Sequence, residues 1–280
     1  MKITIVCENR VSNTIPRGLV GEHGLAILLE GSETILFDTG QGMGLLNNLA
    51  LFGKDINAID KIILSHGHYD HVGGLWDLLQ ARTKPIPVYV HADAFIEKLA
   101  VVHLQGNKVT IPIGFKFSQS EYEKAGAEFI FVNDLYTIND AVQSISNISR
   151  DSNWKGHDER LKTKGVEGVI DDPFTDDLSL IIHTDKGDSV ILGCAHAGLV
   201  EILDDISQQT GIYQFNALIG GTHLGFSDEP YFEKAIEAIG KYKFEIIGTS
   251  HCTGFEKSAR ILSKFKSKFK EASVGSNFDI

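Results

Sequence analysis

The chain has 280 residues, with 26 Lys or Arg against 37 Asp or Glu, so its formal net charge at pH 7 is −11. A negative charge opposes general affinity for nucleic acid, because such binding depends on neutralising phosphates. The hydrophobic content of 42% is ordinary for a globular protein, and no apolar run approaches the roughly 18 residues that a membrane span needs. We therefore expect a small-molecule substrate as the partner, with no nucleic acid and no membrane. The oligomeric state is left open.

The cysteines and the first residues bear on location. Three cysteines, Cys7, Cys194 and Cys252, are too few to form a disulfide framework in a chain of this length. The chain begins as a strand, and Glu8 follows too soon for the apolar part of a secretory leader. These features predict a cytoplasmic protein.

The first part of the chain alternates short predicted strands and helices. Strands are predicted over 3–6, 25–30, 34–37, 62–64 and 87–91, and helices over 45–51 and 75–81. Gly31-Ser-Glu33 supplies a hairpin turn between the second and third strands.

The segment from about 95 to 175 is less regular. Its mixed periodicity and many polar residues predict an insertion of short strands and loops within a single domain that spans 1–280. Long irregular segments beside an active site often form lids. Arg150 and Lys155 are candidate phosphate contacts in this insertion, although solvated surface charges are the simpler interpretation.

A regular pattern resumes after the insertion. Strands are predicted over 178–183, 189–192, 215–219 and 244–247, and helices over 199–208, 231–239 and 260–269. Both halves of the chain contain strand hairpins followed by strand–loop–helix units whose loops carry histidine. This pattern favours the α/β class, with two sheets packed face to face and helices on their outer sides.

The most informative stretch is Ser-His-Gly-His-Tyr-Asp-His-Val-Gly-Gly, which begins at residue 65. Alternate residues of a strand share a face, so a chain leaving a strand can direct His66 and His68 to one point. If a helix starts just after His68, Asp70 and His71 emerge together at its first turn. The cluster therefore suits two divalent metal ions, the first held by His66 and His68 and the second by Asp70 and His71. Such ligands favour zinc, with iron or manganese as alternatives.

These motifs resemble those of the metallo-β-lactamase superfamily. The resemblance rests on His66-Gly-His-Tyr-Asp-His71, on Phe37-Asp-Thr-Gly40 upstream, and on strand-end histidines downstream. It implies a four-layer αββα sandwich with a one- or two-metal site at the edge of the sheets. The later signatures resemble the branch named after the 7,8-dihydropterin-6-methyl-4-(β-D-ribofuranosyl)aminobenzene-5′-phosphate synthase of methanopterin biosynthesis: Gly-Cys-Ala-His196, Gly-Gly-Thr-His223 and Thr-Ser-His-Cys-Thr-Gly254.

The resemblance also implies roles for single residues. His196 would complete three imidazoles around the first metal, and His251 would join Asp70 and His71 around the second. Asp38 would accept a hydrogen bond that orients a ligand or the motif loop, with a turn-capping aspartate as the alternative.

One departure from the superfamily pattern concerns the aspartate that commonly bridges the two metals. The strand where it is expected continues as Ile219-Gly-Gly-Thr-His-Leu224, without a carboxylate. Losing this charge would weaken the pairing of the two ions or change which metals bind. His223 is predicted to be catalytic, as a substrate contact or a proton donor.

Three further residues lie near the predicted ligands in the sequence or at the start of a neighbouring strand. His23 is a candidate substrate contact, with a surface-loop histidine as an equal alternative. Cys194 and Cys252 each lie within two residues of a predicted ligand. They are interpreted as small buried residues that fill space, with thiolate ligation or redox chemistry as alternatives.

The predicted chemistry is metal-assisted hydrolysis or a related transfer. A bound metal lowers the pKa of water from 15.7 to about 7, and Asp70 could orient this nucleophile and accept its proton. Branch resemblance implies a phosphorylated or pterin-like substrate. The alternatives are a non-haem iron redox enzyme on the same fold and a non-catalytic module that binds metal or ligand.

Overall fold

Strands dominate the computed structural model, which describes residues 1–151, 154, 156–165 and 168–280. The strands are β1 (Lys2–Cys7), β2 (Ala26–Glu30), β3 (Thr34–Phe37), β4 (Lys61–Ile63), β5 (Ile86–Val90), β6 (Lys98–Leu104), β7 (Asn107–Pro112), β8 (Ala127–Phe131), β9 (Leu135–Asn139), β10 (Val142–Ile145), β11 (Leu161–Gly165), β12 (Gly168–Asp171), β13 (Ser179–Ile182), β14 (Ser189–Leu192), β15 (Ala217–Gly221), β16 (Ile246–Ser250) and β17 (Asn277–Asp279).

The described residues form fewer helices than strands, and the last three α-helices are the longest elements. The α-helices are α1 (Leu45–Leu51), α2 (Tyr69–Val72), α3 (Leu75–Ala81), α4 (Gln119–Lys124), α5 (Leu199–Thr210), α6 (Glu229–Lys241) and α7 (Phe255–Phe265). Single 3-10 turns occupy Ile56–Ala58, Ala92–Phe95, Leu224–Phe226, His251–Thr253 and Lys266–Lys268. Among the described residues, no helix combines the length and the apolar character needed to cross a membrane.

Two large mixed sheets form the centre of the molecule. The first has the strand order β17-β1-β2-β3-β4-β5-β8, and the second has the order β16-β15-β14-β13-β10-β9. Strands β3, β4, β5 and β8 are parallel, as are β14, β15 and β16. In sheets of this kind ligands bind beyond the carboxyl ends of the parallel strands, and the loops that carry the predicted ligands leave from those ends.

The core shows why the sheets stack as they do. In β2, Ile27 and Leu29 face the second sheet, whereas Leu28 faces the helices on the other side. Both faces are apolar because both are covered: α1, α3 and α4 pack on the first sheet, and α5, α6 and α7 pack on the second. The layers are therefore helix, sheet, sheet, helix, which confirms the predicted αββα sandwich.

The segment predicted as an insertion, 95–175, follows a more complex course. Only its two ends form a separate sheet, with the order β12-β11-β6-β7. Its middle returns to the sandwich, because β8 joins the first sheet and β9 and β10 join the second. These are strands of four or five residues at or next to the sheet edges, too short to give a clear alternating pattern in the sequence. That 1–280 form a single domain stays a prediction.

The C-terminal region differs from the prediction in two elements. The helix predicted over 260–269 begins earlier, because α7 starts directly after Gly254 and ends at Phe265. The three-residue strand β17, which the pattern did not indicate, pairs antiparallel with β1. The end of the chain thereby closes one edge of the first sheet.

Candidate metal centre

The six predicted metal ligands come from three loops and one short helix at one end of the sandwich. Strand β4 leads into the loop with the first two histidines, α2 carries the Asp-His pair, and the loops after β14 and β16 each supply one histidine. Each of the six residues is at most 8% exposed. They are His66, His68, Asp70, His71, His196 and His251.

Three imidazoles form the first group. His66 Nε2 lies 3.0 Å from His68 Nδ1 and 3.2 Å from His196 Nε2. Burial lowers the pKa of His68 to about 3 and lowers the pKa values of His66 and His196 well below their usual range. The three rings are therefore neutral and keep the lone pairs that a metal requires. Three neutral nitrogens that converge in this way fit a divalent ion such as zinc.

Asp70, His71 and His251 form the second group. His251 Nε2 lies 3.2 Å from Asp70 Oδ2 and 3.3 Å from His71 Nε2. The opposite nitrogens of the rings have partners, since His71 Nδ1 lies 2.6 Å from Asp38 Oδ2 and His251 Nδ1 lies 2.9 Å from Asn9 Oδ1. Such contacts fix the orientation of each imidazole and direct its Nε2 into the group. This donor set also fits a divalent ion.

The protonation states of His71 and Asp70 in the second group depend on their charged neighbours. Burial disfavours the imidazolium of His71, but the carboxylates of Asp38 and Asp70 outweigh burial and raise the pKa of His71 to about 9. Burial also disfavours ionised Asp70, yet the neighbouring imidazoles hold the pKa of its carboxyl well below the usual range. A metal ion that binds here must therefore displace a proton from His71.

Asp38 contacts a ligand of the second group directly and a ligand of the first group through Ser65. Its carboxylate accepts hydrogen bonds from the Ser65 backbone N–H and hydroxyl, both at 2.7 Å. The Ser65 hydroxyl also lies 2.8 Å from His66 Nδ1. Asp38 has a φ of 61°, a left-handed conformation that aspartate tolerates better than most residues. The structure thus places Asp38 where it can orient His71 directly and His66 through Ser65.

His23 lies at the mouth of the second group. Its Nε2 is 3.2 Å from Asp70 Oδ2, and its side chain is 54% exposed. Its ring centroid is 5.0 Å from that of His251. The hydrogen bond with Asp70 raises the pKa of His23. The structure places this loop histidine beside Asp70 and His251, and its role as a substrate contact stays a prediction.

Neither residue at the position of the missing aspartate occupies the space between the two groups. The Thr222 hydroxyl lies 2.9 Å from that of Thr253. The His223 ring lies between His196 and Phe226, with centroids 4.3 and 4.6 Å away. Within the described part of the chain, neither ring nitrogen of His223 has a hydrogen-bond partner. His223 is therefore in the site but belongs to the wall beside the first group.

Several supporting residues escaped the sequence analysis. Asp176 Oδ2 accepts the Gly67 N–H at 2.9 Å, and Asp177 Oδ2 accepts the Ala197 N–H at 2.8 Å. These adjacent aspartates hold the loop of the first two histidines and the loop of His196. The only available signal was the acidic pair directly before the strand beginning near residue 178, and it is not specific.

Two other missed residues, Glu8 and Asn9, follow β1 and hold His251. Glu8 Oε1 accepts the His251 backbone N–H at 2.7 Å, and Asn9 contacts the ring as described above. They lie more than 240 residues from His251 in the sequence, so no local pattern could have paired them.

A cavity of about 1030 Å³ is related to the first group through Phe174, and none of the six predicted ligands is among its lining residues. Phe174 belongs to its wall, and the same ring stacks on His196 with centroids 4.7 Å apart. Arg150 also lines the cavity. Its guanidinium lies 4.3 Å from the Trp154 ring centroid and donates to the Pro173 carbonyl at 2.8 Å. Lys155, the other candidate phosphate contact, lies outside the described residues.

Comparison with known proteins identified relatives of the whole chain. An archaeal protein of Methanocaldococcus jannaschii, named 7,8-dihydropterin-6-methyl-4-(beta-D-ribofuranosyl)-aminobenzene-5'-phosphate synthase, is 29% identical over 265 residues, which cover 91% of this chain and 88% of that protein. An uncharacterized protein of the same organism, MJ0448, is 29% identical over 248 residues, covering 88% and 90%.

Solved structures share the fold. The crystal structure of Tm1679, described as a metal-dependent hydrolase of the beta-lactamase superfamily, matches with a TM-score of 0.83 at 24% identity, covering 100% of this chain and 99% of that one. Zinc-bound PqqB from Methylobacterium extorquens matches with a TM-score of 0.58 at 10% identity over the full length of both chains. The model of the metallo-beta-lactamase superfamily matches residues 20–240. The fold and this match confirm the resemblance, and the chain belongs to the metallo-beta-lactamase superfamily.

Proposed function

We propose that this protein is a metal-dependent hydrolase, or a closely related transferase, that acts on a small phosphorylated or pterin-like substrate. The observation that carries the proposal is the convergence of two adjacent groups of ligand atoms, the first of three neutral imidazoles and the second of a carboxylate and two imidazoles. Three free, buried cysteines support a cytoplasmic location, where thiols stay reduced.

The chemistry divides between bound metal and the chain's own residues. Divalent ions at these positions would lower the pKa of water to about 7 and stabilise negative charge on a substrate oxygen. Asp70 holds one oxygen at the boundary between His251 and the exposed His23, where it can orient the nucleophile and accept its proton. His223 presents two ring nitrogens without partners in the described structure and can supply a proton to the leaving group.

The cavity beside the first group supports the substrate class. Phe174 and Trp154 offer aromatic faces on which a flat ring can stack, and Arg150 offers a guanidinium suited to a phosphate group. The relative from Methanocaldococcus jannaschii is named for a compound with a pterin, a benzene ring and a phosphate. A substrate with an aromatic part and a phosphate would fit the wall of this cavity.

Turnover by the zinc-loaded protein tests the reaction class. Phosphomonoesters, phosphodiesters, lactones and thioesters are the substrates to screen. We expect His68→Ala and Asp70→Ala to abolish the turnover found. His183→Ala is the matched control, because His183 pairs with Asp188 at the opposite end of the strands. Full activity in either site variant would refute the assignment.

Arg150 provides the test of the substrate class. We expect Arg150→Ala to raise KM for a phosphorylated substrate about tenfold or more, since a charged hydrogen bond is worth about 1.5–3 kcal/mol, and to leave KM for an uncharged ester unchanged. Lys186→Ala removes the same charge at a surface pair with Asp279 and should change neither. Equal effects on both substrates would argue against a phosphate contact.

A further inference from the structure

The sulfur of Cys194 lies between the two groups of predicted ligands. Its distance to His71 Nε2 is 3.1 Å. The sulfur and the ligand atoms of His66 and His71 all lie within 4.8 Å of one another. Because His66 belongs to the first group and His71 to the second, Cys194 is within reach of both. The side chain is only 3% exposed, so this contact is internal to the site.

Two glycines allow close packing at the ends of β14 and β15, Gly193 against Ser65 of the ligand loop and Gly221 against the Gly193 carbonyl. A Cβ at Gly193 would overlap the Ser65 hydroxyl, and a Cβ at Gly221 would lie 2.7 Å from the Cys252 sulfur. Glycines within strands often mark such close approaches. The Gly221 N–H donates to the Gly193 carbonyl at 3.1 Å. Cys194, the next residue, is thereby held against the ligands.

We propose that Cys194, as a thiolate, is a metal ligand shared by the two metal positions, in place of the bridging carboxylate that the superfamily commonly supplies. The inference rests on the two-metal site of the proposed function. A thiolate restores the single negative charge that the missing aspartate would have contributed. The thiol proton passes to solvent as the sulfur–metal bond forms. Sulfur ligation also favours zinc over manganese, which prefers oxygen ligands.

Cys252 is the other sulfur nearby and serves as the control. Its sulfur accepts the His223 backbone N–H at 3.2 Å and lies 3.5 Å from the Cys194 carbonyl oxygen. It groups with Cys194 and His223, and His223 is not one of the six predicted ligands. A ligand role for Cys252 would therefore describe a different site.

X-ray absorption at the zinc edge of protein loaded with two equivalents of zinc distinguishes these assignments. A zinc–sulfur distance is about 2.3 Å, whereas zinc–nitrogen and zinc–oxygen distances are about 2.0–2.2 Å. A shared thiolate predicts a sulfur coordination number near one per zinc in the wild-type protein. We expect Cys194→Ser to lose this sulfur shell and Cys252→Ser to keep it. Far-UV circular dichroism checks that both variants fold.

Each other outcome overturns the proposal. A wild-type zinc site with only nitrogen and oxygen ligands would reject the thiolate and leave the hydrolase proposal standing. This outcome is measured on the wild-type protein alone, so it does not depend on whether a variant folds. About half a sulfur per zinc would indicate a ligand to one ion, not a shared one. Loss of sulfur in Cys252→Ser instead of Cys194→Ser would assign the other site. Failure to bind zinc would reject both this inference and the two-metal site.

Discussion

At the scale of single residues, Asp38 shows how one carboxylate can order several ligands. It contacts the Ser65 backbone and hydroxyl and His71 Nδ1, and it is fully buried. An amide can accept only part of these hydrogen bonds and brings a second donor toward the His71 ring. Residues that hold metal ligands in this way typically contribute 10–100-fold to metal affinity.

We therefore expect Asp38→Asn to weaken zinc binding about 10–100-fold, measured by competition with a chromophoric chelator. Asp60→Asn is the matched control. Asp60 accepts a hydrogen bond from the backbone N–H of Thr34, at the start of β3, whereas Asp38 follows the end of β3. Equal affinity in Asp38→Asn and the wild type would show that Asp38 does not orient a ligand.

Asp177 predicts a pH dependence of stability. Burial raises the pKa of its carboxyl to about 7, and one of its oxygens has no hydrogen-bond partner within the described residues. Because the folded-state pKa exceeds the unfolded one, the protonated acid favours folding. This stabilisation is complete below about pH 4 and is lost as pH rises to about 7.

The variant Asp177→Asn cannot ionise but keeps an acceptor for the Ala197 N–H. Its free energy of unfolding, relative to that of the wild type, should increase between pH 5 and pH 8, by about 1.4 kcal/mol for each pH unit below the folded-state pKa. Urea unfolding of both metal-free proteins at the two pH values measures this change. A difference between the proteins that is independent of pH would contradict the assignment.

At the scale of elements, buried ion pairs connect the third sheet (β12-β11-β6-β7) to the loop that carries His66 and His68. Lys98 of β6 lies 3.0 Å from Asp172 and 2.7 Å from Asp176. Asp176 in turn accepts the Gly67 N–H between the first two histidines. A displacement of β6 should therefore move the loop of the first group.

We expect Lys98→Met to lower the free energy of unfolding by about 3–5 kcal/mol, because two buried carboxylates lose their counter-ion, and to weaken zinc binding. Lys164→Met is the control, since its pair with Glu97 in the same sheet is exposed and should be worth about 1 kcal/mol at most. Denaturant unfolding and chelator competition give the two readouts. Similar losses in both variants would contradict a special role for the buried group.

Elements with a clear apolar period could be predicted from the sequence. The bounds of α1 and α3 agree with the prediction, because their leucines recur at helical spacing on one face. Strands β8, β9 and β10 were not predicted as parts of the sandwich, because each has only four or five residues. Which sheet a short strand joins depends on contacts that its own residues do not encode.

The residues of the candidate site also differ in how far the sequence predicts them. The cluster from His66 to His71 is local, so spacing alone indicated its chemistry. His196 and His251 required the superfamily resemblance, because each is a single histidine at the end of a strand. Asn9 and Asp176 could not be predicted, since each reaches its partner across more than 100 residues.

At the scale of the whole molecule, the candidate metal centre lies where loops of the two sheets meet. The loops after the first sheet supply His66 to His71, and the loops after the second supply His196 and His251. Ions bound to both sets would oppose the separation of the layers, because the unfolded chain cannot hold these ligands together.

Zinc should therefore raise the Tm, and a chelator should lower it again. At a free zinc concentration 100 times the dissociation constant, one site adds about 2.7 kcal/mol. His196→Ala should reduce the shift, while His183→Ala should not. Differential scanning calorimetry with and without zinc measures the shift in Tm. A Tm that is unaffected by zinc would mean that the metal does not hold the sheets together.

The central claim is that this chain binds two divalent metal ions for hydrolytic chemistry. The most direct measurement is elemental analysis of protein purified without added metal, counting zinc, iron and manganese per chain. We expect close to two ions, chiefly zinc if Cys194 is a ligand. One iron per chain would contradict the hydrolytic assignment, and no metal even after reconstitution with zinc would contradict the metal centre itself.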